Sequence, residues 1–444
     1  MREEYIINPS PAIKPGSLAE GRICQLVSSS EMMNHNAHIL PIDSHSSAVA
    51  ELQKISVSPE GVPLMTTKCL SYCIKLERVD VRAANILKQQ MLSLGGDAAV
   101  SKHTLALKGG ETDIILIGTH KQLSSLDEKL SNQPFQLSNL SQEVRRVIAN
   151  YQRRNFTIDF PSGPISLNGR ILIMGTLNLT PDSFAGDGIY NDPGRAVDYA
   201  LQMVEEGADI IDVGGASTRP GFAPLSVKEE LGRVIPVLKR LRRETTTPIS
   251  IDTYKPEVAR ESLELGVDMV NDISGLRHSP QMVQLLTQYR VPVVLMHIPT
   301  EVSLMHQYPG YGNLLSEVVS GLRSSLQRAV DAGLSPEKAI IDPGIGFGKK
   351  PQDNLVILKN LSVLKSLGRP ILVGCSRKSF IGKALNLPVE ERLEGTMAAV
   401  AMAVLNGAHI VRVHDPGPIK LLVQMLTALQ QAGSLEKGKP TPQV

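Results

Sequence analysis

The chain has 444 residues, of which 42% are hydrophobic and 20% are charged. This is the composition of a globular protein that buries a core, and the length suits one large domain plus a smaller one. The net charge of +2, from 46 basic and 44 acidic residues, implies no strong attraction to nucleic acid. An anionic ligand must therefore be held by a local site.

The cysteines and the N-terminus indicate the compartment. Cys24, Cys69, Cys73 and Cys375 are too dispersed for a disulfide framework and suit a reducing environment. Cys69 and Cys73 alternate with apolar residues, which indicates a strand, and no second ligand pair for zinc lies near them. The N-terminus has no apolar signal core, and the sequence has no apolar stretch of roughly 18 residues. We therefore expect a cytoplasmic protein without a membrane or nucleic-acid partner.

In the first third of the chain, the periodicity of apolar residues becomes clear only after about residue 65. Residues 1–65 have weak periodicity, and we expect an irregular N-terminal segment. Residues 66–152 predict a small α+β domain of unknown function, in the order βαββα. Its predicted elements are a strand at 69–76, a helix at 81–94, strands at 98–107 and 113–118, and a helical region at 121–152 interrupted near Pro134. We expect residues 433–444 to form a flexible tail.

Residues 155–432 repeat a strand, a loop and a helix. The predicted strand cores are 171–177, 210–213, 249–252, 269–271, 293–296, 339–342, 371–373 and 409–413, and predicted helices include 193–206, 227–243, 256–265 and 313–332. Short, almost continuously apolar strands are typical of a parallel sheet that is covered on both faces. The number of units and their total length predict an α/β fold, a (β/α)8 TIM barrel. An open doubly wound sheet is the alternative, but no G-x-G-x-x-G follows the first strand.

Polar side chains fall at the C-terminal ends of these strands, where barrel enzymes place their chemistry. They are Asn178, Thr218 with Arg219, Asp252, Asn271 with Asp272, His297, Asp342, Lys378 with Ser379, and Arg412 with His414. One Asp after a strand is often only a cap, and this reading suits Asp272 and Ser274. Capping does not explain eight successive strand ends, because desolvating so many polar groups is costly without ligands.

The residue types narrow the ligand. Asp252, Asn271 and Asp342 supply acceptors and an amide, which suit the edge of a nitrogen heterocycle. Arg412 and His414 are two apart on one strand, so they share a face. With Asn178 on the neighbouring strand they can surround an anion such as a diphosphate, and Lys378 adds a charge or a donor. The Gly-rich loops at 184–188 and 214–221 are suited to closing over a second substrate.

As a set, eight segments resemble those of dihydropteroate synthases, in family order over about 155–432. They are M-G-T-L-N-L-T-P-D-S-F (174–184), E-G-A-D-I-I-D-V-G-G-A-S-T-R-P-G (206–221), I-S-I-D-T (249–253), N-D-I-S-G (271–275), D-P-G-I-G-F-G-K (342–349), S-R-K-S-F-I-G (376–382), G-T-M-A-A-V (395–400) and R-V-H-D (412–415). The resemblance implies condensation of 6-hydroxymethyl-7,8-dihydropterin diphosphate with p-aminobenzoate, giving 7,8-dihydropteroate and diphosphate. It also implies Mg2+ as cofactor and a homodimer formed through barrel helices.

The same resemblance implies residue roles. The pterin is held by Asp252, Asn271, Met296, Asp342 and Lys378. The diphosphate is met by Thr218, Arg412 and His414, and Asn178 binds Mg2+. The p-aminobenzoate site is formed by Phe184, Arg219, Pro220, Lys378 and Ser379. The family's reaction is dissociative and passes through a cationic pterin methylene. The expected catalytic groups are Asn178, Asp252, Asp342, Lys378, Arg412 and His414.

Three departures from the family pattern and two rival functions remain. The acidic residue of the first loop is Asp187, one place later than in many relatives. The loop after strand 5 reads M-H-I-P-T-E without the usual glycine, and Pro416 follows R-V-H-D.

A pterin-binding methyltransferase is one rival function, but such an enzyme should lack S-R-K-S, the T-R-P-G loop and R-x-H. A non-catalytic paralogue is the other, and it should have lost Asn178, Lys378 or Arg412. The N-terminal region has no D-x-D pattern of a fused pyrophosphokinase.

Overall fold

A computed structural model describes residues 35–104, 110–180, 192–216 and 225–432. The chain divides after Leu70 into two compact units. The first contains helices α1 (His45–Lys54) and α2 (Gly61–Cys69). The prediction of irregular structure is therefore wrong for residues 45–54 and 61–65, and residues 1–34 lie outside the described part of the chain. Ser44 caps α1, because its hydroxyl accepts the backbone N–H of Ser47 while the Ser47 hydroxyl accepts that of Ser44.

The second unit begins with the small α+β domain. Its strands β1 (Ser71–Asp80), β2 (Asp97–Val100) and β3 (Glu111–Thr119) form an antiparallel sheet in the order β1-β3-β2. Its helices are α3 (Val81–Ser93), α4 (His120–Ser124), α5 (Leu126–Leu130) and α6 (Leu137–Gln152). Leu87, Met91, Leu116 and Val144 are fully buried in its core. The predicted order of elements is confirmed, but Cys69 ends a helix and does not start β1.

A hairpin that the sequence did not reveal follows this domain. Its strands are β4 (Thr157–Phe160) and β5 (Gly163–Ser166). Phe156, Ile158 and Phe160 are buried against the residues that begin the barrel strands, among them Leu172, Ile210, Met269, Val294, Ile340, Leu372 and Ile410. The hairpin therefore covers the N-terminal end of the barrel with apolar side chains.

Eight parallel strands form the barrel. They are β6 (Leu172–Asn178), β7 (Ile210–Gly214), β8 (Ile249–Asp252), β9 (Met269–Asp272), β10 (Val293–Met296), β11 (Ala339–Asp342), β12 (Leu372–Val373) and β13 (Ile410–Val413). Each strand pairs with its neighbours in chain order, and β13 pairs with β6. A bridge between Ile341 and Ile371 joins β11 to β12. The (β/α)8 prediction is confirmed, and the ring excludes an open doubly wound sheet.

The barrel helices lie outside the strands. They are α7 (Pro193–Glu205), α8 (Val227–Glu244), α9 (Pro256–Glu264), α10 (Pro280–Tyr289), α11 (Leu314–Asp331), α12 (Pro351–Lys359), α13 (Ser379–Leu385), α14 (Leu393–Leu405) and α15 (Pro416–Gln431). Pro193, Pro256 and Pro280 stand in the first turn, where the missing N–H costs nothing. Within the described ranges, no helix is long and apolar enough to cross a membrane.

Helix α6 fastens the small domain to the barrel. The Asn150 side-chain amide donates to the Ser366 carbonyl at 2.9 Å, and Arg153 pairs with Glu337 at 2.9 Å. The Lys365 ammonium lies 4.2 Å from the centre of the Tyr151 ring. The residues between Ser71 and Gln431 that the structure describes therefore belong to one packed unit.

The hairpin generates a prediction about stability. Phe160 is 3% exposed, so Phe160→Ala should lower the free energy of unfolding by about 3–5 kcal/mol, the usual cost of deleting a buried ring. Phe135 is 38% exposed, and Phe135→Ala should cost less than about 1 kcal/mol. Denaturant unfolding measures both values. Equal costs would contradict the role given to the hairpin.

Candidate active site

Two oxygen atoms, from the strands on either side of β7, lie near Gly214. Asn178 at the end of β6 pairs with Gly214 of β7, which in turn pairs with Asp252 of β8. A Cβ atom on Gly214 would lie 3.5 Å from Asn178 Oδ1 and 3.7 Å from Asp252 Oδ2. The glycine therefore leaves room in which an amide oxygen and a carboxylate face the same space.

Arg412 joins two carboxylates across the mouth of the barrel. Its Nε donates to Asp212 Oδ2 at 2.5 Å, and its Nη2 donates to Asp252 Oδ2 at 2.8 Å. The Asp212 side chain is 0% exposed, whereas those of Asp252 and Arg412 are 21% and 17% exposed. The Asn271 amide also donates to Asp212 Oδ2, at 3.2 Å. The sequence predicted three members of this network and missed Asp212.

This network perturbs the pKa of Asp252. Burial is the main cause and raises the pKa of this carboxyl to about 7, although the Arg412 charge opposes the shift. The negative charges of Asp212 and Glu230 raise the pKa further, and Lys378 lowers it. The carboxyl therefore takes up a proton more readily than an exposed aspartate does.

Lys378 and Asp342 carry opposite charges that attract each other within the site. Asp342 is buried, which raises its pKa, and its carboxylate accepts the Gly344 N–H at 2.7 Å. Burial lowers the pKa of Lys378 to about 8, against the attraction of Asp342. The Lys378 ammonium donates to the Ile345 carbonyl and lies 4.5 Å from the centre of the Phe347 ring. Phe347 is a site residue that the sequence reasoning did not assign.

Lys349 is a further buried cation that was not assigned. Its Nζ donates to the carbonyls of His297 and Phe347, at 3.1 Å each, and so ties the loop after β10 to the loop after β11. Burial lowers the pKa of Lys349 to about 7 and holds the pKa of His297 well below its usual value. His297 is therefore neutral at physiological pH. The sequence contained one indication of this residue, because Lys349 is the final lysine of the motif D-P-G-I-G-F-G-K.

An apolar wall completes the mouth. Met296 is buried with Ile273, Ile298 and Met305, and Phe347 packs against this cluster. Ile298 and Met305 belong to the loop after β10 that departs from the family pattern, and the Ile298 carbonyl accepts a hydrogen bond from Arg277. The departing loop therefore builds part of the wall, which suits the face of a flat ring.

The remaining predicted residues are placed less centrally. His414 bonds to the Ser376 hydroxyl through its Nδ1 at 3.0 Å, and Ser379 is exposed at the start of α13. The Asp272 carboxylate accepts the backbone N–H groups of Ser274 and Leu276, so it closes a local turn and supports the structural reading of that residue. Phe184, Asp187, Thr218, Arg219 and Pro220 lie outside the described residues.

Comparisons with known proteins agree with this geometry. A family model described as "Pterin binding enzyme" matches residues 174–414, more than half of the chain. Dihydropteroate synthase of Bacillus subtilis is 43% identical over 62% of this chain and 94% of its own length.

The chain belongs to the dihydropteroate synthase family of pterin-binding enzymes.

Membership makes the chain a transferase of folate biosynthesis and confirms the activity predicted from the sequence. A solved structure supports the fold: dihydropteroate synthase of Yersinia pestis, in complex with a sulfonamide drug, aligns with a TM-score of 0.60 and 36% identity. The alignment covers 62% of this chain and all of that one.

One relative extends beyond the barrel. A probable bifunctional folylpolyglutamate synthase/dihydropteroate synthase of Halobacterium salinarum is 38% identical over 84% of this chain and 45% of its own length. That coverage exceeds residues 155–444, so the similarity continues into the region before the barrel.

The pKa of Asp252 generates a prediction about pH. An ionised Asp252 accepts ring N–H groups, and its protonated form grows as the pH falls below about 7. We expect the affinity for 6-hydroxymethylpterin, which carries no diphosphate, to be constant above pH 8 and to fall about tenfold per pH unit below pH 7. Calorimetry between pH 5.5 and 8.5 measures this. An affinity that stays flat down to pH 6 would contradict the assignment, and Asp252→Asn should abolish the dependence.

Proposed function

We propose that the described residues at the barrel mouth carry out the joining of 6-hydroxymethyl-7,8-dihydropterin diphosphate to p-aminobenzoate. The observation that carries this assignment is the network in which Arg412 links Asp252 to Asp212 while Asn271 donates to Asp212. It presents hydrogen-bonding groups of fixed direction beside an apolar wall. A pterin has this combination of a flat face and a polar edge.

The pterin pocket follows from charge and burial. Asp252 and Asp342 are carboxyl groups of raised pKa, and Asn271 is buried between their strands. Such groups are costly to bury unless a ligand donates hydrogen bonds to them. We assign the ring N–H and amino groups to these acceptors, the ring face to Met296, and a charge contact to Lys378.

The diphosphate and Mg2+ belong beside Asn178. Its Oδ1 faces the same space as Asp252 Oδ2, and Mg2+ prefers oxygen donors, keeps several waters and binds through substrate phosphates. The described residues hold no cluster of three His, Cys, Asp or Glu that would bind a metal alone. This donor set fits an ion that shares its ligands with the diphosphate. When bound, Mg2+ supplies positive charge that neutralises the leaving group.

Arg412, His414 and Thr218 are assigned to the diphosphate. Nε and Nη2 of Arg412 already contact carboxylates, so Nη1 is the amino group that remains for a phosphate oxygen. The C–O bond to the diphosphate breaks, and the carboxylates of Asp252 and Asp342 stabilise the positive charge on the pterin methylene. The aniline nitrogen then forms the new C–N bond with the pterin methylene, and the proton that it loses passes to water.

The p-aminobenzoate site is assigned to Lys378, Ser379, Phe184, Arg219 and Pro220. Lys378 and Ser379 stand at the start of α13, next to Phe347. The relative from Yersinia pestis is solved with a sulfonamide, whose ring, amine and acidic end resemble p-aminobenzoate. A methyltransferase needs no such pocket.

Asn178→Ala and Arg412→Ala should lose most activity while the fold survives. Each removes a contact to the leaving group worth about 2–4 kcal/mol, which corresponds to about 30-fold to 1,000-fold in turnover. Diphosphate release measures turnover, and circular dichroism checks the fold. Near-normal turnover in either variant would contradict the contact that is assigned to that residue.

A sulfonamide should bind much more tightly once the pterin site is filled. The loops at 184–188 and 214–221 are expected to complete the second site only then, so the competent state is rare in the free protein. Calorimetric titration with and without pterin and Mg-diphosphate tests this. If no binding occurs in either condition, or if Ser379→Ala changes nothing, the p-aminobenzoate site is wrongly placed.

A homodimer is the second part of the proposal. Helix α14 is rich in apolar residues and exposes Met402 and Leu405, and α15, which packs against it, exposes Leu421, Met425 and Leu429. These five side chains are 45% to 68% exposed. An exposed stripe of this kind is typical of a protein–protein interface.

The dimer should depend on this stripe. Light scattering should give about twice the chain mass of 48.1 kDa for the unchanged protein. Met425→Asp should give a monomer, because it places a charge in the apolar contact. Leu92→Asp, at an exposed position of α3, is the control and should remain dimeric. An unchanged mass for Met425→Asp would exclude this interface.

The location and the domain boundaries are also proposals. Cys69, Cys73 and Cys375 are free thiols, which supports a cytoplasmic, reducing compartment. We keep residues 66–152 as a separate small domain that adds no catalytic group, because the described residues of the site lie between Asn178 and His414.

A further inference from the structure

Asp212 lies inside the barrel, and no substrate contact has been assigned to it. It is the third residue of β7 and is 0% exposed. We propose that Asp212 is a positioning residue that fixes the direction of the hydrogen-bonding groups in the pterin pocket. This inference rests on the proposed roles of Asn271, Asp252 and Arg412.

The first effect of Asp212 is on the Asn271 amide. A carboxylate has no proton to donate, so the group of Asn271 that faces Asp212 Oδ2 at 3.2 Å must be its NH2. The Asn271 carbonyl oxygen is thereby left for another partner. Asp212 therefore makes Asn271 present an acceptor to the pocket, which suits a ring N–H of the pterin.

The second effect is on the Arg412 guanidinium. The group is planar, and its two contacts go to different carboxylates, at 2.5 Å to Asp212 and 2.8 Å to Asp252. Two such contacts fix the plane and direct Nη2 to one oxygen of Asp252. Without Asp212, a paired contact of Arg412 with both oxygens of Asp252 becomes favourable, and Asp252 is withdrawn from the ligand.

Fold stability alone does not account for Asp212. Its other oxygen, Oδ1, is buried without a hydrogen-bond partner among the described residues, and burying such an atom costs free energy. Thr176 and Ser250 are its register neighbours on β6 and β8, so Asp212 lies in a layer of short polar side chains. An uncharged residue would be easier to bury at this position.

The experiment compares Asp212→Asn with Ser250→Ala. Asparagine has the same shape but carries its own N–H donor and no charge, so the Asn271 amide can turn over and Arg412 is released. Ser250 is equally buried and neighbours Asp212, but its hydroxyl has no hydrogen-bond partner among the described side chains. The probes are 6-hydroxymethylpterin for binding and both substrates for kinetics.

We expect Asp212→Asn to weaken 6-hydroxymethylpterin binding about tenfold or more, the usual effect of a mispaired hydrogen bond. The KM for pterin diphosphate should rise by more than kcat falls, and the KM for p-aminobenzoate at saturating pterin should stay within about twofold. The melting temperature should be unchanged or higher, because a buried charge is removed. Ser250→Ala should match the unchanged protein in all five quantities.

A purely structural Asp212 predicts the opposite pattern. The melting temperature would then fall and the active fraction would shrink, with normal pterin affinity in the remaining protein, and this result would overturn the inference. Asn271→Ala and Asp342→Ala, at two residues assigned to the pterin edge, separate this failure from failure of the proposed site. If these two variants lose pterin binding while Asp212→Asn keeps it, only the role of Asp212 is wrong. If all three keep it, the pterin pocket itself is misplaced.

Discussion

The site depends on one cation shared by two carboxylates. Asp212 and Asp252 extend from neighbouring strands, and two negative charges at that separation repel each other strongly where water is excluded. Arg412 reaches them from β13, on the far side of β6, and offsets this repulsion. The position of Asp252 and the direction of Asn271 both follow from this arrangement.

Glycines lie where the polar site residues come close to the backbone. Gly214 borders the space shared by Asn178 and Asp252, and Gly374 borders Arg412 and Lys378. Gly346 has a φ of +84°, and a Cβ there would lie 3.0 Å from the Lys378 stem. Any larger residue at Gly346 would be strained and would displace this lysine. The hairpin at the opposite end adds apolar packing at the bottom of the barrel, away from the charged groups at the mouth.

The sequence predicted the barrel strands to within about one residue, because buried parallel strands have a clear apolar signal. It failed where that signal is weak. Strands β4 and β5 have four residues each, and Pro164 lies inside β5, which argues against a strand in sequence. Helix α1 depends on the cap at Ser44, which composition does not reveal.

Within the site, the sequence located residues at strand ends and missed those inside strands or motifs. Asp212 was overlooked because I-I-D-V-G was treated only as a strand, although a lone charge within a buried strand is itself a signal. The direction of the hydrogen bonds could not be predicted from the sequence either, because Arg412 contacts two carboxylates on strands that are distant in sequence. Only the three-dimensional register brings them together.

Product formation is the most direct test of the proposed function. Purified protein, Mg2+, 6-hydroxymethyl-7,8-dihydropterin diphosphate and p-aminobenzoate are mixed, and both products are quantified by chromatography. We expect 7,8-dihydropteroate to form when p-aminobenzoate is present, with at least one diphosphate released for each molecule, and no joined product when p-aminobenzoate is replaced by benzoate, which lacks the attacking amine. Transfer of a methyl group from a methylated pterin, or the absence of 7,8-dihydropteroate, would contradict the proposed function.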